Sequence, residues 1–402
     1  MKPHKKIDGI IKVRGFRASG IYAGIKKPGK GKDLALIVSD TPAVVAGVFT
    51  KNKVKAAPVL IDMQRVKKGV SRGVVINSGN ANVSTGKEGY DNALRMTAAI
   101  EKGLGLKKGD MLVASTGVIG VMPPVEKMEA GAKPLISELR PEGFIDASEA
   151  IMTTDAFAKT SFHKKRIAGD IVTVAGIAKG AGMICPDMAT MLAFFVTDAN
   201  IGRSALGAAL KKAADASFNS IIVDNDMSTN DTVLIFANGA SRNAEIKSGT
   251  PEFDAFASFL TGEFQKLALM IVKDGEGATR FIELTVNGAA SDKDANLAAR
   301  TIAESMLVKT AFFGGDPNWG RIIAALGRAG IKLRQNKVDI SFNGVTVAKA
   351  GMDTGKEKAA AKALKVKDVS VKVGLGMGKG SKTIWTTDLT YEYVKINSAY
   401  RT

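Results

Sequence analysis

The sequence predicts a layered α/β fold in which sheets are sandwiched by helices. Three observations carry this. β-rich apolar segments alternate with amphipathic helical ones along the whole chain, no fixed-period repeat or low-complexity tract interrupts them, and 402 residues with 45% hydrophobic content can fill a large core. The apolar stretches "LALIVSDTPAVVAGVFT" (34–50) and "GVVINSGNA" (73–81) read as strands. A helix follows from Ser84 to Gly103, with Ser84 as a candidate cap, and "GDMLVASTGVIG" (109–120) is a strand running into a glycine-bounded turn. Residues 123–139 and 146–160 read as helices, and "DIVTVAGIAKG" (170–180) and "MLAFFVTD" (191–198) as strands. Beyond them come a helix at 204–218, strands at 220–224 and 231–239, and the two longest helices at 254–274 and 292–312. The end of the chain is β-rich at 337–344, 369–376 and 382–397. No linker marks a domain boundary.

Composition removes several function classes. The lone cysteine, Cys185, excludes an internal disulfide and a cysteine-based zinc site, and His4 and His163 alone make no histidine-rich metal centre. No stretch reaches about 20 consecutive apolar residues, and the basic N-terminal segment lacks a signal-peptide core, so a cytoplasmic protein without a membrane anchor is expected. The net charge of +18 raises a nucleic-acid partner. The lysines, however, are spread along the chain and rarely interleave with aromatics, which fits a basic surface or the attraction of small anionic substrates better.

Two glycine-rich segments fail as phosphate cradles. "GLGMGKGSKT" (374–383) lacks the required spacing and leads into a strand, while "GNANVSTGKEG" (79–89) has Ala81 where glycine is needed; both read as turns. No G-x-S-x-G elbow is present for a serine hydrolase. Cys185 with His163 as its base is formally available, but Ile184 and Pro186 flank the cysteine and no motif surrounds it.

That leaves Thr190, in "KGAGMICPDMATMLAFFVTDA" (179–199). A threonine hydroxyl needs a base, and with histidine scarce the economical one is an α-amine, whose pKa of about 7.7–8.0 suits neutral pH. Cleavage at Ala189–Thr190 would supply it, making one residue both nucleophile and base. Gly180, Gly182 and Pro186 shape the preceding loop, and the apolar run after Thr190 would anchor a new terminus in a sheet. On the residues alone, an ordinary strand-edge threonine is the better account of the position.

The same segment closely resembles the cleavage segment of the ornithine acetyltransferases, the ArgJ family of arginine biosynthesis. The resemblance runs nearly end to end, through "NSGNAN" (77–82), "ASTGVIG" (114–120), "MTTDAFAK" (152–159), "VDNDMSTNDT" (223–232), "DGEGATR" (274–280) and "GGDPNWGR" (314–321). It implies the N-terminal-nucleophile architecture shared with DmpA-type aminopeptidases. It also implies self-cleavage into an α chain, 1–189, and a β chain, 190–402, associated as an α2β2 heterotetramer. The implied reaction moves acetyl from N2-acetylornithine to L-glutamate through an acetyl-Thr190 ester, with no metal or bound cofactor. Some members also use acetyl-CoA.

Position by position, the resemblance makes Thr190 the nucleophile and Thr116 and Gly117 the oxyanion-hole pair. Thr153, Lys179, Glu276, Asn397 and Thr402 become substrate contacts. Lys179 suits an α-carboxylate and Glu276 the cationic amine of ornithine. Two rivals stay open: an amidase or aminopeptidase with the same nucleophile and water as acceptor, and a basic nucleic-acid-binding protein.

Overall fold

The structure is a computed structural model and describes residues 11–185 and 191–399. The chain divides into two compact units. The first comprises the described residues up to Met183, those from 191 to Asn219, and Asp226–Ile271. The second takes Ile184 and Cys185, Ser220–Asn225, and the described residues from Val272 onward. The last division falls inside a continuous helix, so no linker composition announces it.

The first unit opens with β1 (Phe16–Ile21), β2 (Leu34–Phe49), α1 (Ala57–Arg65), β3 (Val70–Asn80), α2 (Gly86–Gly103), β4 (Met111–Val118) and α3 (Val125–Ser137). It continues with α4 (Phe144–Ala150), β5 (Lys159–Ile167), β6 (Asp170–Lys179), β7 (Leu192–Thr197) and α5 (Arg203–Asp215). Next in the chain, β8 (Ile221–Ile222) belongs to the second unit, β9 (Thr232–Ala237) returns to the first, and α6 (Pro251–Lys273) contains the last division. The second unit then holds β10 (Phe281–Ala289), α7 (Asp292–Ala303), α8 (Met306–Gly314), α9 (Trp319–Gly327), β11 (Asp339–Phe342) and β12 (Val345–Lys349). It ends with β13 (Met352–Asp353), α10 (Glu357–Ala363), β14 (Asp368–Gly374), β15 (Gly380–Thr387) and α11 (Tyr391–Ser398).

Among the described residues, eight strands form the first unit's sheet, in the order β4-β3-β2-β9-β7-β6-β5 with β1 paired to β2. Its strands are apolar on both faces because both are covered. Ala35, Ile37, Val74, Ile76, Leu192 and Phe194 pack with Phe144, Ala147 and Ala150 of α4. The alternate residues Leu34, Leu36, Val38, Val75 and Val113 pack with Ala93, Met96 and Ile100 of α2 and Met128 and Leu135 of α3. On α6, Phe264 stacks on Phe195 of β7 at 3.8 Å. By length and composition α6 could cross a membrane, but Phe256, Leu260, Phe264 and Leu267 are fully buried, as in a core helix.

The second sheet runs β13-β12-β11-β14-β10-β15-β8. Its strands alternate: Ile282, Leu284, Val286, Val369, Val371 and Val373 share a core with Ala295, Ala298, Ala299 and Ile302 of α7 and Ile322 and Leu326 of α9. This is the mixed α/β architecture the sequence predicts.

Several elements differ from the sequence reading. The helix expected at 146–160 stops at Ala150, and β5 begins at Lys159. The expected helix at 292–312 is two, because Ser305 caps α8 by accepting from the Val308 amide and so restarts the chain after α7. The expected strand 382–397 ends at Thr387, and Thr390 caps a helix there instead. Ser84 does not cap α2; it sits at φ +59° in the turn before it. The neighbouring strands β8 and β9 belong to different sheets.

Candidate active site

Thr116 and Gly117 lie at the end of β4, in parallel register with Ser78 and Gly79 of β3. Gly117 adopts φ +137°, and a Cβ there would collide with the Gly79 carbonyl carbon and the Asn80 nitrogen. Buried amides support this corner. Asn77 accepts from Ser115 Oγ at 2.6 Å and donates to the Asn80 carbonyl at 2.9 Å. Asn230 donates to the carbonyls of Ala81 and Ser115 at 2.7 and 2.8 Å. Asn77, Ser115 and Asn230 were not singled out in the sequence; Asn77 and Ser115 follow apolar runs within β3 and β4, and Asn230 lies in the polar segment before β9.

Lys179, the last residue of β6, is 4% exposed rather than solvent-facing, and its Nζ donates to Thr116 Oγ1 at 3.1 Å. That bond uses a lone pair of the hydroxyl, so the Thr116 proton can be donated elsewhere. Asp155 ties the same region together. Its Oδ1 accepts from Gly180 N at 2.7 Å and Lys159 Nζ at 2.6 Å, and its Oδ2 accepts from Thr153 N at 3.0 Å. Burial alone would raise this carboxyl, but the charges of Lys159 and Lys179 and the bonds from Gly180 and Lys159 hold it at about 2. Lys26 donates to the Met152 carbonyl at 2.7 Å and is lowered to about 8 by burial and by the charge of Lys179, against the pull of Asp33 and Asp155. Thr116, Thr153 and Lys179 are thus brought together, with Asp155 as the hub that motif reading missed.

Strands β6 and β7 pair antiparallel from Val174–Thr197 to Lys179–Leu192, so residues 180–191 connect neighbouring strands. Ala189 and Thr190 lie outside the described residues. Immediately after them, Met191 N donates at 3.0 Å to Oδ1 of the fully buried Asp231. Burial pushes the Asp231 carboxyl well up despite that bond, and its Oδ2 has no partner among the described residues.

In the second unit, the turn carrying Glu276 follows α6. Asn397 of α11 donates to Glu276 Oε2 at 2.9 Å, so these two predicted contacts meet. Gly277, at φ +66°, lets the turn approach α11; a Cβ there would collide with the Tyr393 amide. Thr402 lies outside the described residues.

The cysteine alternative loses its chemistry. Burial and the neighbouring Glu304 carboxylate push the Cys185 thiol up to about 12, so it stays protonated near neutrality. His163 is instead bonded to the buried Glu263 at 2.9 Å. Among the described residues, no group of three His, Cys, Asp or Glu side chains is placed to hold a metal ion.

The sequence model of the ArgJ family matches residues 17–402. The chain is 49% identical over 394 residues to the arginine biosynthesis bifunctional protein ArgJ of Geobacter sulfurreducens, covering 98% of this chain and 100% of that protein. It is 47% identical over 402 residues to the protein of the same name from Caldanaerobacter subterraneus, covering 98% and 99%. Among solved structures, arginine biosynthesis bifunctional protein ArgJ from Bacillus halodurans aligns at 41% identity and a TM-score of 0.49, over 50% of this chain and 96% of that one.

Proposed function

This chain belongs to the ArgJ family of arginine biosynthesis, and on that premise we propose that it transfers an acetyl group from N2-acetylornithine to L-glutamate. The supporting observation is the match across residues 17–402, joined to a site corner in which Lys179 engages Thr116 beside Gly117.

In this reading the chain first cuts itself at Ala189–Thr190, giving an α chain of 1–189 and a β chain of 190–402. The freed amine of Thr190 takes the hydroxyl proton as the oxygen attacks the acetyl carbonyl. The tetrahedral oxygen is received by Thr116 and Gly117, where the loss of one donor costs about 10²–10³ in rate. Collapse breaks the amide bond, returns the proton to the leaving nitrogen and releases ornithine, leaving acetyl-Thr190. The glutamate amine then attacks this ester, and N-acetylglutamate departs. Lys179 holds the substrate's α-carboxylate and Glu276 the side-chain ammonium of ornithine, while Thr153, Asn397 and Thr402 make further substrate contacts. No cofactor or metal takes part, acetyl-CoA is a candidate alternative donor, and the cleaved chains assemble as α2β2.

The pairing of β6 with β7 supports lasting association of the products, because the two strands flank the proposed cut within one sheet. Thr190→Ala should yield one full-length chain without transferase activity; splitting at the same bond in that variant would sink the processing mechanism. Ornithine release beyond one equivalent per enzyme should depend on glutamate, and double-reciprocal plots should be parallel. Sustained multiple-turnover release without glutamate would identify a hydrolase instead.

A further inference from the structure

Lys309, on α8, belongs to none of the roles above. It is 2% exposed, and a buried ammonium is costly unless every donor is used. All three are. Its Nζ donates to Thr386 Oγ1 at 3.0 Å, to the Thr387 carbonyl at 2.5 Å and to Thr387 Oγ1 at 3.2 Å. Its own carbonyl accepts from Leu389 N at 3.3 Å. One residue therefore grips the chain from Thr386 to Leu389, where β15 ends and α11 is about to begin.

That short segment is also the frame of the Glu276 turn. Thr387 Cγ2 packs so closely under Gly275 that a Cβ there would lie 3.0 Å away. Asp388 Oδ1 accepts from the amides of Thr279 and Arg280 at 2.9 and 3.0 Å, and Asp388 also accepts from the Thr279 hydroxyl. Thr390 Oγ1 donates to the Gly277 carbonyl at 2.7 Å while accepting from Tyr393 N to cap α11. The turn is thus held on both sides of Glu276. The helix bearing Asn397 starts from the same segment, and a Phe313–Tyr391 edge contact ties it to α8 a second time.

We propose that Lys309 is a positioning residue for amine recognition: by pinning Thr386–Leu389 it places Glu276 and Asn397 where they meet the ornithine side chain. It touches no substrate, and it acts only through the segment it holds. This rests on the proposed role of Glu276 as the partner of the donor's ammonium. The physical requirement is that a carboxylate displaced by an ångström loses most of an oriented contact. Its consequence is selective. A donor with a cationic side chain depends on Glu276, whereas N-acetylglutamate, whose side chain is an anion, does not.

The test uses the full-length, self-processed enzyme and two reactions. One is transfer from N2-acetylornithine to glutamate; the other is acetyl exchange between N-acetylglutamate and isotope-labelled glutamate. Lys309→Met should raise KM for N2-acetylornithine roughly tenfold and leave KM in the exchange within about twofold. Thr387→Val, which keeps the packing methyl under Gly275 and removes only one acceptor, should move the same KM in the same direction by roughly threefold, and serves where the lysine variant does not accumulate. Equal losses in both reactions with unchanged KM values would mean a purely structural lysine and would overturn the proposal. So would a Thr387→Val enzyme with the wild-type KM for N2-acetylornithine. Wild-type enzyme that exchanges acetyl with glutamate but not with ornithine would instead refute the functional reading on which the proposal rests.

Discussion

Asp155 holds more of the first unit's cluster than any residue the motifs singled out. Its two oxygens take the amides of Thr153 and Gly180 as well as the Lys159 ammonium, so it sets the backbone on either side of the proposed carboxylate site. Asp155→Asn should reduce kcat/KM roughly 10²-fold through misplacement. It should also cost about 3–5 kcal/mol of stability, because the buried ion pair between Asp155 and Lys159 is broken. A denaturant titration and steady-state kinetics read both; a variant with wild-type values in both would contradict the role. Gly117→Ala should abolish transfer, since the methyl has no room against β3; full activity would remove Gly117 from the oxyanion corner. At this scale the sequence disclosed the residues that a family motif marks and hid their supports. Asp155 sat in "MTTDAFAK", inside a stretch whose apolar spacing mimics a helix, and two of its partners are Lys159 at the start of β5 and Gly180 just past the end of β6. Lys309 was equally hidden, because nothing local says that a lysine in "SMLVKTAF" faces inward.

Elements were legible where periodicity was strong and misread where a cap decided. The strands from β2 to β4 and the helices α2, α5 and α6 follow from runs of apolar residues at the right period. Ser305 caps α8 where it parts from α7, and Ser305→Ala should cost about 1 kcal/mol, read from the shift in the unfolding midpoint. No shift would mean that packing alone sets the break. The change from β15 to α11 was missed because "TYEYVKIN" alternates like a strand, while the Thr390 cap and the contact of Asn397 with Glu276 favour a helix. The antiparallel β6–β7 pair also carries a prediction. After processing, the two chains should co-elute under native conditions and separate in denaturant. Spontaneous separation in plain buffer would contradict the shared-sheet account.

Across the whole molecule, the mixed α/β class was readable from alternation alone, but the two units were not, because their last division runs through α6. A pH dependence of stability is expected as well. Burial lowers Lys309 to about 7, against the attraction of Asp224 and Asp388, from an ordinary value of 10.5. Between those values the unfolded chain binds more protons than the folded one, so the cost of burying this lysine falls as pH rises through that window. Wild-type enzyme should therefore gain stability relative to Lys309→Met between pH 7 and about 10, by denaturant midpoints; a constant difference would show that the lysine does not titrate there.

The proposed function requires that the protein sever one of its own peptide bonds to furnish its catalytic base. N-terminal sequencing of purified, active enzyme tests this directly: two termini are predicted, one of them reading "TMLAFF". A single terminus in fully active protein would leave the Thr190 hydroxyl without its amine and contradict the account.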